Sequence, residues 1–339
     1  MSNAVVIGLV GLGYWGPNVL RNLLKQELCE QVVVFDSSHS AVEGAKRHFK
    51  SVRFARSYDE MLQLDDLKGV VIATPLNTHY ELAMSAFKAG KDVLVEKPMV
   101  DNLNHAKELL RVCSNQDRKF LVGHTYLYQP AVQMLREQIA NGSLGRLLYM
   151  DSTRANLGLF RSDTNVLFDL ASHDISIIDY LTDRKPETVS CLAVAAIRQY
   201  AESLAHLSLR YSDGFLAHIY VNWLSPVKIR QMVVGGDLKM AVYDDSVVTE
   251  KVKIFDAGVK QVPEVNLQGL RLQYRSGDIW SPALRNVEPL ESQCSDFLSA
   301  VVYRTAPLSD AFRGARVVAV LAAAHRSIEQ RGQEVPVEY

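Results

Sequence analysis

Between residues 5 and 122 the chain alternates short, uninterrupted apolar runs with segments in which apolar residues recur every three or four positions. The runs VVIGLV (5–10), QVVVFD (31–36), GVVIATP (69–75) and DVLVEKP (92–98) are rich in β-branched residues and lack polar alternation. That pattern predicts strands of a parallel sheet buried on both faces. A weaker strand is predicted near 52–55. Helices are predicted near 39–49, over THYELAMSAFKAG with Gly90 closing it, and over LNHAKELLRVCSNQ. Strand and helix in strict alternation imply right-handed crossovers and a doubly wound sheet over residues 1–123.

The pattern changes after residue 123. A helix, PAVQMLREQIANGSLG, leads into the strand candidates RLLYMDSTRA, TVSCLAVAAI, LAHLSLRY, FLAHIYVNW, RQMVVGG, KMAVYDD and VTEKVKIFD. Ser212-Asp213-Gly214 and Gly235-Gly236-Asp237 supply turns between consecutive strands, which predicts an antiparallel meander. The chain ends in helices over LESQCSDFLSAVVY and DAFRGARVVAVLAAAHRSIEQ. The fold class expected is therefore α/β: an N-terminal doubly wound parallel sheet plus a C-terminal α+β domain, 124–339, with a mostly antiparallel sheet. Several of its strands are apolar on both sides, so the exposed sheet face is expected to join copies of the chain into a dimer or tetramer.

The first strand runs into Gly11, Gly13 and Gly16, spaced G-x-G-x-x-G. The glycines serve the tight turn, backbone approach to a pyrophosphate and helix packing, with amides near Tyr14 and Trp15 aimed at phosphate oxygens. A plain strand-to-helix turn would look similar, and the second strand decides between them. It ends in Asp36, about 20 residues on, where a carboxylate accepts hydrogen bonds from an adenosine ribose diol. Asp36 would repel a 2′-phosphate, and Ser37 follows it where an arginine would suit one. NAD is thus favoured over NADP. Ligands of such sheets bind beyond the strand C-termini, which brings Thr74, Pro75, Leu76, His79 and Glu96 in as cofactor candidates.

Lys97 closes an apolar strand just before a proline; a strand-end ammonium stabilises a nascent alkoxide or moves a proton during hydride transfer. The competing reading is an exposed Glu96/Lys97 pair on a loop. In FDLASHDISIIDYL (168–181) a helix would put Asp169 and His173 one turn apart on one face, the carboxylate orienting an imidazole that takes a proton. A solvated i, i+4 pair is the alternative. The segment RANLGLFRSDTN reads as a substrate loop in which Arg154, Asn156, Arg161 and Asn165 bind phosphate or hydroxyl groups of a ligand or, equally, are ordinary loop residues, and His124 and Tyr126 are further substrate candidates.

Composition narrows the classes. The 339 residues carry a net charge of −1 and are 48% apolar, which offers no basic stripe for nucleic acid. No apolar stretch approaches a membrane span, and no signal-peptide pattern precedes the first strand, so a cytoplasmic protein is expected. Cys29, Cys113, Cys191 and Cys294 are dispersed, without C-x-x-C, and no ligand set for a metal is recognisable.

GLGYWG, Asp36, ATPLNTH, VEKP and Asp169-x-x-x-His173, in this order, resemble the Gfo/Idh/MocA oxidoreductases over nearly the whole chain. The resemblance implies an N-terminal Rossmann domain, a C-terminal substrate domain with a large open sheet, a nicotinamide cofactor, oxidation or reduction of a sugar or cyclitol carbon, and a catalytic triad of Lys97, Asp169 and His173. The proton roles of Lys97 and His173 stay exchangeable. GYWGPN and DTNVLFDLASHDISIIDYL resemble the subgroup that oxidises C3 of UDP-N-acetylglucosamine or its uronate. Ala171 stands where many members have glycine and Ser176 where many have aspartate, which weakens any transfer from inositol and glucose enzymes. Inositol or free-sugar dehydrogenase, NAD-dependent glycosidase and non-catalytic NAD sensor are the alternatives.

Overall fold

The computed structural model describes residues 4–158, 160, 164–197, 201–263 and 270–339. In chain order the first elements are β1 (Val5–Val10), α1 (Gly16–Leu23), β2 (Cys29–Phe35), α2 (His39–His48), β3 (Arg53–Phe54), α3 (Tyr58–Leu62), β4 (Leu67–Ile72), α4 (His79–Lys88), β5 (Asp92–Val95), α5 (Leu103–Asn115) and β6 (Phe120–Val122). Then come α6 (Pro130–Ala140), β7 (Leu147–Leu157), α7 (Ser172–Thr182), β8 (Thr188–Val194), β9 (Leu204–Arg210), β10 (Leu216–Asn222), β11 (Leu224–Gly236), β12 (Met240–Asp244), β13 (Val252–Pro263) and β14 (Leu270–Trp280). The chain closes with α8 (Pro289–Tyr303), α9 (Ala311–Glu329) and β15 (Val335–Pro336).

Two compact units result. The first takes Met1–Tyr128 together with Val287–Ala319 and Tyr339; the second takes Gln129–Asn286 and Val320–Glu338. A single second domain running from 124 to 339 is thereby corrected. Leu290, Cys294, Phe297 and Leu298 of α8 are buried against Ile7, Leu9, Val19 and Leu20, so burial of an apolar face sends this helix back to the first unit.

The first unit is a six-stranded sheet in the order β3-β2-β1-β4-β5-β6, every pair parallel. Val32, Val33, Val34, Val70, Val71, Val93, Leu94 and Val95 have no exposed surface, as continuous apolar runs require. Helix α4 ends as its composition predicts: Gly90 has φ +71°, and the Lys91 amide donates to the Ala86 carbonyl at 2.9 Å.

The second unit carries nine strands in the order β14-β13-β12-β11-β7-β10-β9-β8-β15. The meander expectation needs correction. β7 lies between β11 and β10, antiparallel to the first and parallel to the second, so the strands do not neighbour one another in chain order. β9–β10 and β11–β12 are antiparallel neighbours with the turns expected. β14 and β15 extend the sheet at both ends, beyond the strands expected. On β8, Leu192 and Val194 are 63% and 54% exposed.

Candidate functional site

In the first unit the glycines of the β1–α1 turn do different things. Gly11 has φ +99°, and a Cβ there would lie 2.4 Å from the Ala73 carbonyl oxygen; one on Gly16 would lie 2.1 Å from that of Gly11. These two are packing glycines. A Cβ on Gly13 meets nothing within 4 Å, so the turn leaves open space at the position where the backbone must approach a pyrophosphate. Asp36 sits just past β2, accepting from the Leu12 amide at 2.5 Å and the Ser38 amide at 2.7 Å. Its carboxylate is thereby fixed beside the turn. Ser38 caps α2 through the Ala41 amide, a role Ser37 does not share, and Tyr14 is 92% exposed. The turn is therefore open at Gly13, with a carboxylate held beside it.

At the end of β5, Glu96 and Lys97 are both half-buried, which removes the exposed-loop reading. The Lys97 amide donates to Glu96 Oε2 at 3.3 Å, and Glu96 Oε1 is sealed from solvent. Burial raises the Glu96 carboxyl to about 7, although the Lys97 ammonium and the Trp15 indole both act to lower it. Gly123 makes this placement possible: a Cβ there would lie 2.9 Å from Glu96 Oε2. Sequence reasoning missed Gly123. Its signal was a glycine directly after the last parallel strand.

Next to Gly123, His124 has no exposed surface, and neither ring nitrogen has a hydrogen-bond partner among the described residues. Burial and, secondarily, the Lys97 charge push its pKa down to about 3, so the ring is neutral, with one N–H and one lone pair to offer. Tyr126 is half-buried on the turn that follows.

His79 corrects an expectation. Its Nδ1 lies 3.0 Å from the Pro98 carbonyl and its Nε2 3.0 Å from the Thr74 carbonyl, so whichever nitrogen carries the proton donates to a backbone oxygen. Instead of reaching toward a cofactor it ties together the two strand-end loops, whose Lys97–Pro98 peptide is cis. Burial lowers its pKa against the pull of these carbonyls. Thr74 donates to or accepts from Thr78 at 2.7 Å, Leu76 opens the short helical turn after it, and Pro75 is exposed.

In the second unit, a helix over 168–181 is replaced by a π-helical turn, Leu167–Ala171, that passes into α7. Such wide turns cluster at functional sites. Asp169 lies on the π turn and His173 in the first turn of α7, both half-buried. Asn165 builds the turn: its Oδ1 accepts from the Phe168 amide at 3.1 Å and its carbonyl from the Asp169 amide at 3.0 Å. With its Nδ2 on Glu202, this amide is structural, which corrects its place as a sugar ligand.

Arg154 and Asn156 lie on β7, not on a loop. Arg154 is 4% exposed and pairs with Asp174 through two bonds, Nε to Oδ2 at 2.8 Å and a terminal nitrogen to Oδ1 at 3.1 Å, while Ser152 donates to the same Oδ1 at 2.8 Å. The guanidinium holds a buried carboxylate next to His173. The alternation of β7 turns this side chain inward, and a loop reading of the sequence hid that. Arg161 lies outside the described residues. Trp223, also missed, donates its indole N–H to Asp169 Oδ2 at 3.1 Å. Among the described residues no three His, Cys, Asp or Glu gather to hold a metal ion, and no helix is long and apolar enough to cross a membrane.

Residues 5–124 match the model for an oxidoreductase family with an NAD-binding Rossmann fold, and residues 132–242 match the Gfo/Idh/MocA C-terminal domain. The chain belongs to the Gfo/Idh/MocA family. Its relatives in this family include an uncharacterized oxidoreductase of Streptococcus pneumoniae, 26% identical over 195 residues, 55% of this chain and 52% of that protein. The UDP-N-acetylglucosamine 3-dehydrogenase of Acidithiobacillus ferrooxidans is 25% identical over 92% of this chain and 93% of its own. Its structure has a TM-score of 0.80 at 23% identity, covering 96% of this chain and 98% of that one. The WlbA dehydrogenase of Bordetella pertussis, solved with NADH and UDP-GlcNAcA, has a TM-score of 0.83 at 18% identity over 99% of this chain and 98% of its own. At such identities the structures establish the shared fold, and the family models establish an oxidoreductase.

Proposed function

We propose that this Gfo/Idh/MocA oxidoreductase moves a hydride between C3 of a UDP-N-acetylhexosamine, or its uronate, and NAD. The observation that carries the substrate class is the likeness to a UDP-N-acetylglucosamine 3-dehydrogenase over 92% of the chain. Asp36, held beside the glycine turn, supports NAD over NADP, since its charge would repel a 2′-phosphate.

The nicotinamide, when bound, supplies the hydride acceptor. His173 takes the proton of the sugar hydroxyl, Asp169 orients its imidazole, and the Lys97 ammonium stabilises the oxyanion that forms. His124, neutral and with both nitrogens unpaired among the described residues, offers a donor and an acceptor to a polar ligand group. Gly11, Gly13 and Gly16 with the amides near Tyr14 and Trp15 hold the pyrophosphate.

The test is NADH absorbance at 340 nm with UDP-N-acetylglucosamine, its uronate, myo-inositol and glucose, run with and without a ketoacid oxidant and with product analysis. Turnover on one UDP-sugar is expected, with Lys97→Ala and His173→Ala binding NAD normally and losing turnover at least about a hundredfold, the scale of general acid–base catalysis. Turnover on myo-inositol alone overturns the substrate, and full activity in either variant overturns its assigned role.

A further inference from the structure

We infer that Trp223 is a positioning residue for the reaction: its indole N–H fixes the Asp169 carboxylate that orients His173. This rests on reading Asp169 and His173 as the acid–base pair.

The tryptophan stands at the corner between β10 and β11 and is 1% exposed. Its backbone is pinned twice, the amide donating to the Ser203 carbonyl at 2.9 Å and the carbonyl accepting from the Gly158 amide at 2.9 Å. Phe160 meets the ring edge-on, centroids 5.8 Å apart and planes at 64°. Gly158 supplies the room, since a Cβ there would lie 3.1 Å from Trp223 Cδ1. The ring has one donor, and a buried tryptophan must place it.

Here that donor goes to a carboxylate oxygen on the π turn, 54 residues away in sequence, at 3.1 Å. Asn165 fixes the backbone of Asp169 through the amide-to-carbonyl bond at 3.0 Å, and the indole fixes the side chain. Between them they set the torsion that determines how the carboxylate faces the next turn, which carries His173. A hydrogen bond to an ionised acceptor is among the stronger ones in proteins and is directional. The Leu224 amide bond to Asn222 Oδ1, 2.6 Å, tightens the same corner on its other side. The indole is therefore held by the sheet and not by the helix it steers.

The experiment removes the N–H, in one variant almost alone and in the other together with part of the ring. Trp223→Phe and, for a closer isostere, β-(3-benzothienyl)alanine incorporated at position 223 are assayed for kcat, KM and NAD affinity on the UDP-sugar that the enzyme turns over, beside Asp169→Asn and the Trp223→Phe/Asp169→Asn double variant. Expected is a fall in kcat of about tenfold or more, from loss of a charge-assisted bond, with KM and NAD affinity within about twofold. In the Asp169→Asn background the second substitution should cost little further, because the two residues act as one unit. Equal losses from removing Trp223 in both backgrounds, or wild-type kcat in the benzothienyl enzyme, overturn the inference. If Trp223→Phe fails to fold, the benzothienyl enzyme decides alone. Full activity in Asp169→Asn would instead overturn the acid–base reading, a result distinct from either.

Discussion

Glu96→Gln should convert a pH-dependent cost of folding into a constant one. The Glu96 carboxyl ordinarily ionises near 4.5, and burial holds its proton to about 7 in the fold. Below pH 4.5 both folded and unfolded chains carry the proton, and this residue adds no pH dependence. Between 4.5 and 7 the unfolded chain releases it while the folded chain keeps it, so stability falls as pH rises, and above 7 the fold carries a buried anion. At about 1.4 kcal/mol per pH unit, the total loss is about 3 kcal/mol at most, since solvent reaches part of the side chain. Glutamine keeps the shape, removes the titration and should unfold at nearly the same temperature at pH 4.5 and 8 as far as this site is concerned. The variant-minus-parent difference in Tm should therefore grow with pH by roughly 6–12 °C for a unit of this size. The assay is scanning calorimetry of the cofactor-free protein at pH 4.5, 5.5, 6.5, 7.5 and 8.5. Parent and variant curves that stay parallel throughout would refute both the buried acid and the reasoning.

Two further substitutions probe the packing that holds the candidate residues. Arg154→Met leaves the buried Asp174 carboxylate without its ion-pair partner and should cost about 3–5 kcal/mol, measured by urea unfolding, with Arg154→Met/Asp174→Leu regaining most of it. A Cβ introduced by Gly123→Ala collides with the Glu96 carboxyl and should cost about 1–3 kcal/mol, a loss that Glu96→Ala in the same chain relieves and Glu96→Gln does not.

The first unit was legible because its signals are local. The Val5–Val10 run, the glycine spacing, Asp36 at the end of β2 and the Gly90 stop each report the conformation of their own few residues, and all appear as read. The second unit is built by choices between distant segments. β7 enters the sheet between β10 and β11, and no property of LLYMDSTRANL specifies that neighbour. β14 was hidden by its own composition: LRLQYRSGDIW alternates but carries arginine, glycine and aspartate at a sheet edge, where Tyr274 is 78% exposed. At the candidate site the sequence showed which residue types were present but not which were already committed. Arg154 looks like an anion ligand until Asp174 is seen to hold it, and His79 like a cofactor contact until two carbonyls take its ring. Trp223 carries no motif, since the reason for it is a carboxylate 54 positions away.

The return of α8 to the first unit bears on how the polypeptide is made. Synthesis delivers β1 through β6 early, yet one flank of that sheet, at Leu9, Val19 and Leu20, stays uncovered until Leu290, Phe297 and Leu298 have left the ribosome. The nascent Rossmann half therefore waits, with apolar surface open, through the translation of β7 to β14. For about 160 codons, at roughly 5–20 residues per second, it shows the kind of apolar surface that makes nascent domains prone to aggregate and is not yet a finished dinucleotide fold.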